Sequence, residues 1–161
     1  MSEYHSFNFA ESMPLTKTIV DYLKYVVEEK YYLSDKMVKY FTERTIENEA
    51  KGNGFRFKPH RTGKEIAFAL TNPGKNRLDD NYVDIGSIKR YNMITYYEEK
   101  SIRRLTPEEC FRLMGMKDED IALVNSDTQS YKIAGNGIEI NTMRSIICQL
   151  YRPAKPKGVL F

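Results

Sequence analysis

The stretch RRLTPEECFRLMG, residues 103–115, carries the clearest structural signal in the sequence. Thr106 is a good helix N-cap, Pro107 suits the first helical position, and Glu109 completes a Thr-x-x-Glu capping box. Gly115 is a typical helix stop, because glycine readily adopts the left-handed conformation that follows a helix. The stretch therefore predicts a short helix with well-defined ends.

Cys110 raises the question of whether this helix carries a nucleophile. Leu105 and Cys110 occupy the two positions of a hydrophobic staple, and Cys110 shares an apolar face with Leu113 and Met114. The two glutamates before Cys110 disfavour its thiolate, although the helix start opposes them in part. We therefore predict a packed, structural thiol.

The composition is that of one domain-sized chain of 161 residues, 41% hydrophobic and 29% charged. Its two cysteines lack metal-ligand spacing, which predicts a reducing compartment, no disulfide framework and no metal site. No apolar run approaches the ~20 residues needed to cross a membrane. The first residues also lack the basic and apolar regions of a signal peptide. We expect a soluble, cytoplasmic protein with no membrane partner.

Positive charge is concentrated in the middle third of the sequence. Residues 51–104 hold twelve Lys or Arg and six Asp or Glu, whereas residues 1–50 hold six and nine, and residues 105–161 hold seven of each. A basic segment of this kind suits a polyanion such as DNA. A solvated basic surface explains the same charge pattern equally well.

Hydrophobic periodicity predicts an α+β chain that begins with helices. Apolar positions at near-helical spacing favour a helix over residues 13–33, although its second half, VVEEKYYL, could form a strand instead. Ser34 is the expected N-cap of a second helix over residues 35–50. The glycines of KGNG, residues 51–54, should end it.

The middle third has the two-residue period of β-strands. In FRFKPH, Phe55 and Phe57 alternate with Arg56, Lys58 and His60, which should share the outer face. Further short β-type runs, separated by Gly, Pro and Asn turn signals, lie at residues 65–72, 81–86 and 91–97. We predict a central twisted antiparallel β region.

The last third predicts helices again. Ser126 and Gln129 form the pattern of a second capping box, and Gly135 and Gly137 should break the helix that follows. A strong apolar stripe, which we expect to be buried against another surface, then comprises Ile140, Met143, Ile146, Ile147 and Leu150. Residues 153–161 are Pro- and Lys-rich and should form a loosely ordered tail.

These segments together resemble a known family. RRLTPEECFRLMG resembles motif IX of the DNA cytosine-5 methyltransferases, and SDTQSYKIAGNGIEINTMRSIICQLY, residues 126–151, resembles motif X. PLTKTIVDYL, EEKYYLSDKMVKYF and NRLDDNYV look like that family's variable target-recognition region. The resemblance implies a target-recognition region over residues 1–101, a helical motif IX and X segment over residues 102–152, and the tail.

The family's catalytic signatures do not occur in this sequence. It contains no Gly-rich cofactor loop after an opening strand, no Pro-Cys nucleophile dipeptide and no Glu-Asn-Val string. Cys110 and Cys148 fall where the family places no nucleophile, so no catalytic residue is expected here. The resemblance thus implies the DNA target-recognition portion, or a separately encoded subunit, of a cytosine-5 methyltransferase. Such a chain would bind double-stranded DNA and complete an S-adenosylmethionine-dependent catalytic half without methylating DNA by itself.

The resemblance also implies roles for particular residues. Asn136, Gly137 and Ile138 would approach S-adenosylmethionine, and the Ile140–Leu150 stripe would be covered by the catalytic half or, failing that, in a homodimer. Residues 61 and 75–77 are the expected loop-borne contacts to DNA. The full set of expected DNA-binding residues is Arg56, Lys58, Arg61, Lys64, Lys75, Asn76, Arg77, Lys89 and Arg90. For any one of them, a merely solubilising role is the alternative.

Three departures from the family pattern leave another function open. Ala69 and Leu70 stand where the family usually has Thr-Leu, which removes a hydroxyl that would bind phosphate. Gly137 follows Asn136 where Ser or Ala is usual, and Met116 and Lys117 replace Phe-Pro. The alternative is a free-standing DNA-binding regulator, or a phage-type decoy, descended from such a recognition region. A decayed gene product is a third interpretation.

Overall fold

The computed structural model describes residues 16–70, 77–78, 80–88, 101–122 and 126–151. Over these residues the fold is α+β, as the sequence predicts, with helices around a small antiparallel sheet. The helices are α1 (Asp35–Ala50), α2 (Pro107–Leu113), α3 (Asp127–Asn136) and α4 (Ile140–Leu150), and the strands are β1 (Tyr82–Asp84) and β2 (Ile102–Arg104). Three short 3-10 turns cover Ile19–Tyr22, Glu29–Tyr31 and Asp118–Asp120.

The sheet is smaller than the β-type runs predict. β1 confirms the run at residues 81–86, and it pairs antiparallel with β2, with Val83 opposite Arg103. Single bridges add Tyr32 beside Arg103 and His60 beside Val83. Residues 65–70 form no strand, and the run at residues 91–97 lies outside the described residues. β2 was not predicted, because its IRR sequence precedes the helix signal directly.

The predicted helix over residues 13–33 is wrong in the part that the structure describes. Two 3-10 turns replace it, with extended backbone at Leu23 and Glu28. One physical reason is that the backbone N–H of Lys24 donates to a carboxylate oxygen of Glu109 at 2.7 Å, which removes it from any helical ladder. The β-branched pair Val26 and Val27 also disfavours a helix there.

The predicted second helix is confirmed as α1. The Ser34 hydroxyl accepts a hydrogen bond from the backbone N–H of Met37 at 3.3 Å, and Gly52 adopts a φ of 72° just past the helix. Phe41 is the buried residue of α1. Its ring lies 5.2 Å from that of Phe57 and 5.7 Å from that of Tyr82, which fixes α1 against β1.

The short helix predicted in residues 103–115 is confirmed as α2, with the predicted capping box. The Thr106 hydroxyl accepts from the N–H of Glu109, and the Glu109 carboxylate accepts from the N–H of Thr106. Cys110 is buried with Leu105 in the main core. Burial, followed by the charge of Glu109, raises the pKa of the Cys110 thiol far above its ordinary value. The structural interpretation of this cysteine is therefore confirmed.

Helix α3 begins where predicted but without the predicted cap. Ser126 is the N-cap residue, yet its side chain makes no capping hydrogen bond, so the second capping box is wrong. The side chain of Asp127 instead accepts from the Tyr31 hydroxyl at 2.9 Å and lies 3.2 Å from the Lys30 ammonium. Gly135 lies inside the helix, and only Gly137 ends it.

None of the residues of α4 is buried in the chain. Ile140, Met143, Ile147 and Leu150 are exposed at 37%, 36%, 45% and 63% of their surface. The described part of the chain thus leaves uncovered the apolar stripe that we expected to be buried. No described helix is both long and apolar enough to span a membrane.

Candidate nucleic-acid interface

Residues 61–65, here called the basic turn, form an ordered loop held by one carboxylate. A side-chain oxygen of Glu65 accepts hydrogen bonds from the backbone N–H groups of Arg61 and Thr62, both at 3.1 Å. The N–H of Lys64 donates in turn to the Thr62 hydroxyl at 3.3 Å. The turn is therefore fixed by its own side chains, as in other short polar loops.

The basic turn is also seated against the N-terminal segment. Gly63 has a φ of 71°, and a Cβ added there would lie 2.4 Å from a methyl group of Val20. Only glycine meets both the backbone and the packing requirement without strain. The N–H of Ile19 donates to the carbonyl of Glu65 at 3.3 Å, which ties the far end of the turn to the buried core.

Glu65 stays ionised over the whole physiological range. Burial by itself would raise its pKa, but hydrogen bonds from Thr62 and Arg61 outweigh burial and lower the pKa of Glu65 to about 2. The negative charge of Glu65 is consequently directed to the backbone of the turn, while the side chains of Arg61 and Lys64 remain exposed to solvent.

The Arg61 guanidinium makes one long ion-pair contact. Its Nε lies 3.7 Å from a carboxylate oxygen of Asp84, whose oxygens also accept from the hydroxyl and the N–H of Ser87 at 2.8 and 3.2 Å. The Arg61 side chain is 65% exposed, so this contact costs little to exchange for a phosphate. Lys64 projects from the same turn.

His60 and Asn81 form a buried polar pair, and His60 directly precedes the basic turn in the chain. Asn81 accepts from the N–H of Phe68 at 2.8 Å and donates to its carbonyl at 3.0 Å, and its oxygen also lies 3.2 Å from Nε2 of His60. His60 is 2% exposed, so the prediction that it shares an outer face with Arg56 and Lys58 is wrong. Burial lowers the pKa of His60, although the hydrogen bond with Asn81 opposes this shift.

The remaining expected DNA contacts do not form one cluster in the described residues. Arg56 is exposed, and its Nε pairs with Glu49 of α1 at 3.2 Å. Lys58 is exposed, and the N–H of exposed Arg77 donates to Asp80 at 3.1 Å. The expected contacts that lie outside the described residues are Lys75, Asn76, Lys89 and Arg90.

The two segments that resemble motifs IX and X contact each other closely at Gly115. This glycine has a φ of 81°, and a Cβ there would lie 2.8 Å from a carboxylate oxygen of Glu139, the N-cap of α4. The N–H of Ile140 donates to the carbonyl of Met114 at 3.0 Å. The start of α4 is therefore held directly by the end of α2.

Tyrosines join the same two motifs at a second point. The hydroxyl of Tyr131 in α3 donates to the carbonyl of Leu105 at 2.6 Å. The guanidinium of Arg104 lies 5.2 Å from the ring of Tyr131 and 5.4 Å from that of Tyr31. Stacking of this kind orients a cation between aromatic faces. Motif X is thus attached to motif IX and to the N-terminal segment.

Known proteins resemble this chain in sequence and in fold. The sequence matches the family of C-5 cytosine-specific DNA methylases over residues 1–152. The chain belongs to this family. The Type II methyltransferase M1.ScrFI of Lactococcus lactis subsp. cremoris is 30% identical over 146 residues, which are 91% of this chain and 34% of the relative. The orphan methyltransferase M.SPRI of Bacillus phage SPR is 37% identical over 106 residues, which are 63% of this chain and 20% of the relative.

Solved structures of methyltransferases share the fold of this methylase chain. The Dnmt2 methyltransferase of S. pombe superposes with a TM-score of 0.62 at 15% identity, over 87% of this chain and 43% of that chain. A methyltransferase of Entamoeba histolytica gives the same TM-score at 14% identity, over 91% of this chain and 45% of that chain. At such identities the likeness concerns the fold alone. The chain spans about a third of the length of the curated relatives.

Membership of the methylase family implies S-adenosylmethionine as the methyl donor. Residues 136–138 are the ones that were expected to approach it. Asn136 is the last residue of α3, Gly137 and Ile138 lie on the turn that follows it, and all three residues are exposed. A small cavity of about 30 Å³ is lined by residues that include Leu105, Cys110 and Tyr131, and not by residues 136–138. Cofactor pockets usually enclose ~300–1,000 Å³. This cavity is far too small for the cofactor, and the exposed residues 136–138 could line such a site only together with a second surface.

The residues that organise the basic turn and the segment beside it were not predicted from the sequence. Glu65 and Asn81 were not singled out, although they hold the basic turn and the segment beside it. The local signal for Glu65 was the Thr-Gly-Lys-Glu string, in which a carboxylate follows a turn threonine by three residues. The role of Asn81 had no local signal, because its partner Phe68 is thirteen residues away.

Proposed function

We propose that the chain is the DNA target-recognition portion, or a separately encoded target-recognition subunit, of a cytosine-5 DNA methyltransferase. The observation that carries this proposal is the basic turn, in which an ionised carboxylate orders the backbone that presents two exposed cations. Preorganised cations of this kind suit phosphate contacts, which position a protein on duplex DNA.

The C-terminal part of the chain would bind the catalytic half of the enzyme. The exposed stripe of α4 would be covered by the catalytic half of the enzyme, and Asn136, Gly137 and Ile138 would contact S-adenosylmethionine at that junction. When bound there, the cofactor would supply the methyl group, and the residues of this chain would only orient it and exclude water. An uncovered apolar stripe of this size supports a missing protein surface.

Binding of duplex DNA by the isolated chain tests the first part. We expect the logarithm of the affinity to fall linearly with the logarithm of salt concentration, and the double variant Arg61→Gln, Lys64→Gln to reduce that slope by about 1.8. The matched control removes two exposed lysines of α1, Lys36→Gln with Lys39→Gln. Equal weakening by both double variants would mean that only net charge matters and would contradict the proposal.

The native assembly tests the second part. An antibody against this chain should retrieve, under non-denaturing conditions, a species whose sequence includes the Pro-Cys and Gly-rich segments of the methylase family. Retrieval of the 18.8 kDa chain alone, or of a complex without methyltransferase sequences, would contradict the subunit role. Those results would favour the DNA-binding regulator, which should bind a specific DNA site alone, or the decoy, which, if aimed at a protein, should bind its partner without DNA.

A further inference from the structure

Ile66 and Phe68 form an exposed apolar pair directly after the basic turn. Ile66 is 65% exposed and Phe68 is 41% exposed, whereas Ala67 between them packs against the main core. Both side chains of the pair are therefore presented to solvent. Scattered single apolar residues on a surface need no explanation, but a pair rimmed by cations does.

The Phe68 side chain is held in place although much of it is exposed. Asn81 bonds to both the N–H and the carbonyl of Phe68, at 2.8 and 3.0 Å, which fixes its backbone. Its ring centroid lies 4.8 Å from that of buried His60, which adjoins Arg61 in the chain. An apolar side chain already fixed in this way loses little entropy when it binds a partner.

The charges around the pair indicate what kind of partner it fits. Arg61 and Lys64 are exposed cations of the adjoining turn, while the nearby carboxylates are occupied by other groups. Glu65 accepts from two backbone N–H groups, and Asp84 accepts from Ser87 and lies near Arg61. Apolar side chains between cations complement duplex DNA, whose grooves offer methyl groups and sugars between two rows of phosphates.

We infer that Ile66 and Phe68 enter a groove of duplex DNA and make apolar contacts with base edges and sugars there. This inference rests on the proposed function. Arg61 and Lys64 would hold the flanking phosphates, so that the segment from residue 61 to residue 68 combines positioning with readout. The two kinds of contact differ in salt dependence, because only phosphate contacts release counterions.

Salt-dependent binding of duplex DNA by variants of the chain tests this inference. We expect Ile66→Ala and Phe68→Ala each to weaken binding about five- to tenfold, with an unchanged salt slope. The matched control is Phe55→Ala, since Phe55 is 55% exposed but lies outside this segment, and it should bind as the wild type does. Far-UV circular dichroism checks folding, and Ile66→Ala decides the matter if Phe68→Ala unfolds.

The outcomes separate this inference from the proposed function. Wild-type affinity in Ile66→Ala, with weakened binding in Arg61→Gln plus Lys64→Gln, would overturn the inference and leave target recognition in place. Equal weakening by Phe55→Ala, or a changed salt slope in Ile66→Ala, would also overturn it. If the wild-type chain shows no salt-dependent binding of duplex DNA, the proposed function and this inference both fail.

Discussion

Arg103 and Glu109 form a buried ion pair with two parallel hydrogen bonds, each 2.8 Å long. Their side chains are 1% and 0% exposed. The Glu109 carboxylate also accepts from the backbone N–H groups of Thr106 and Lys24, both at 2.7 Å, and Arg103 donates to the carbonyl of Arg104 at 3.0 Å. One ion pair therefore joins β2, the start of α2 and the N-terminal segment.

Removing one charge of this pair should destabilise the fold strongly. In Glu109→Gln the Arg103 guanidinium loses its counter-charge while it stays buried, which should cost about 3–5 kcal/mol in the free energy of unfolding. Urea unfolding followed by far-UV circular dichroism measures the cost. Glu119→Gln, which alters an exposed ion pair with Lys117, should leave the urea midpoint unchanged. Equal midpoints for both variants would contradict a structural role for the pair.

Alanine substitutions should show how tightly motif IX packs on motif X. Gly52 and Gly115 both have a positive φ, but a Cβ meets nothing within 4 Å at Gly52 and meets Glu139 at 2.8 Å at Gly115. Gly52→Ala should therefore cost about 1 kcal/mol of backbone strain, and Gly115→Ala clearly more. Thermal unfolding of the two variants gives the comparison. Identical losses of stability in the two variants would mean that the Glu139 side chain moves away from the added methyl group at no cost.

Thiol chemistry should distinguish the two cysteines. Cys148 is exposed on α4, while Cys110 is buried beside Leu105 with a pKa raised by burial and by Glu109. A disulfide reagent whose absorbance changes when it reacts with a thiol should titrate one thiol in the native chain and two after unfolding. Cys148→Ser should remove the native reaction entirely. Rapid modification of two thiols in the folded wild type would contradict the packing of Cys110.

Stability should depend on pH through two separate groups. The pKa of His60 is lowered from 6.5 by burial, so its contribution to stability is full above pH 6.5 and is lost as pH falls toward the folded-state value. For Glu65 the pKa falls from 4.5 to about 2, so its contribution is present above pH 4.5 and is lost between those values. Urea midpoints at about pH 7.5 and about pH 5.5 should differ in the wild type and differ less in His60→Gln. An unchanged difference in His60→Gln would rule out His60 as the source.

Neutralising Glu65 should weaken DNA binding even though it makes the chain more positive. Glu65→Gln removes the charge that holds the N–H groups of Arg61 and Thr62, so the turn would lose its order. Glu119→Gln makes the same change in net charge at an exposed site and should strengthen binding slightly or leave it unchanged. Tighter binding by Glu65→Gln would show that the turn needs no such support.

Local signals in the sequence predicted the helix ends well. Ser34 before α1 and the Thr106–Glu109 capping box before α2 were both readable, because each cap involves residues at most three positions apart. The packed state of Cys110 followed from its place in the same short stretch. The resemblance of motifs IX and X identified the family, whose match covers residues 1–152.

Long-range contacts explain what the sequence did not predict. The helix expected over residues 13–33 fails because Glu109 takes the N–H of Lys24, and His60 is buried because Asn81 and Phe68 enclose it. The hydrophobic periodicity of the neighbouring residues predicts none of these contacts. For the same reason the sequence alone does not tell which basic residues pair with a neighbouring carboxylate, as Arg56 does with Glu49, and which project from an ordered turn.

The hydrogen bond from Lys24 to Glu109 also affects how the protein is made. The two residues are 85 positions apart, so during synthesis at about 5–20 residues per second the N-terminal segment waits roughly 4–17 s for its acceptor. Its apolar residues, Ile19 and Leu23 among them, remain without their final partners in that interval. In a nascent chain with this topology the core therefore closes only after the distant acceptor has been made.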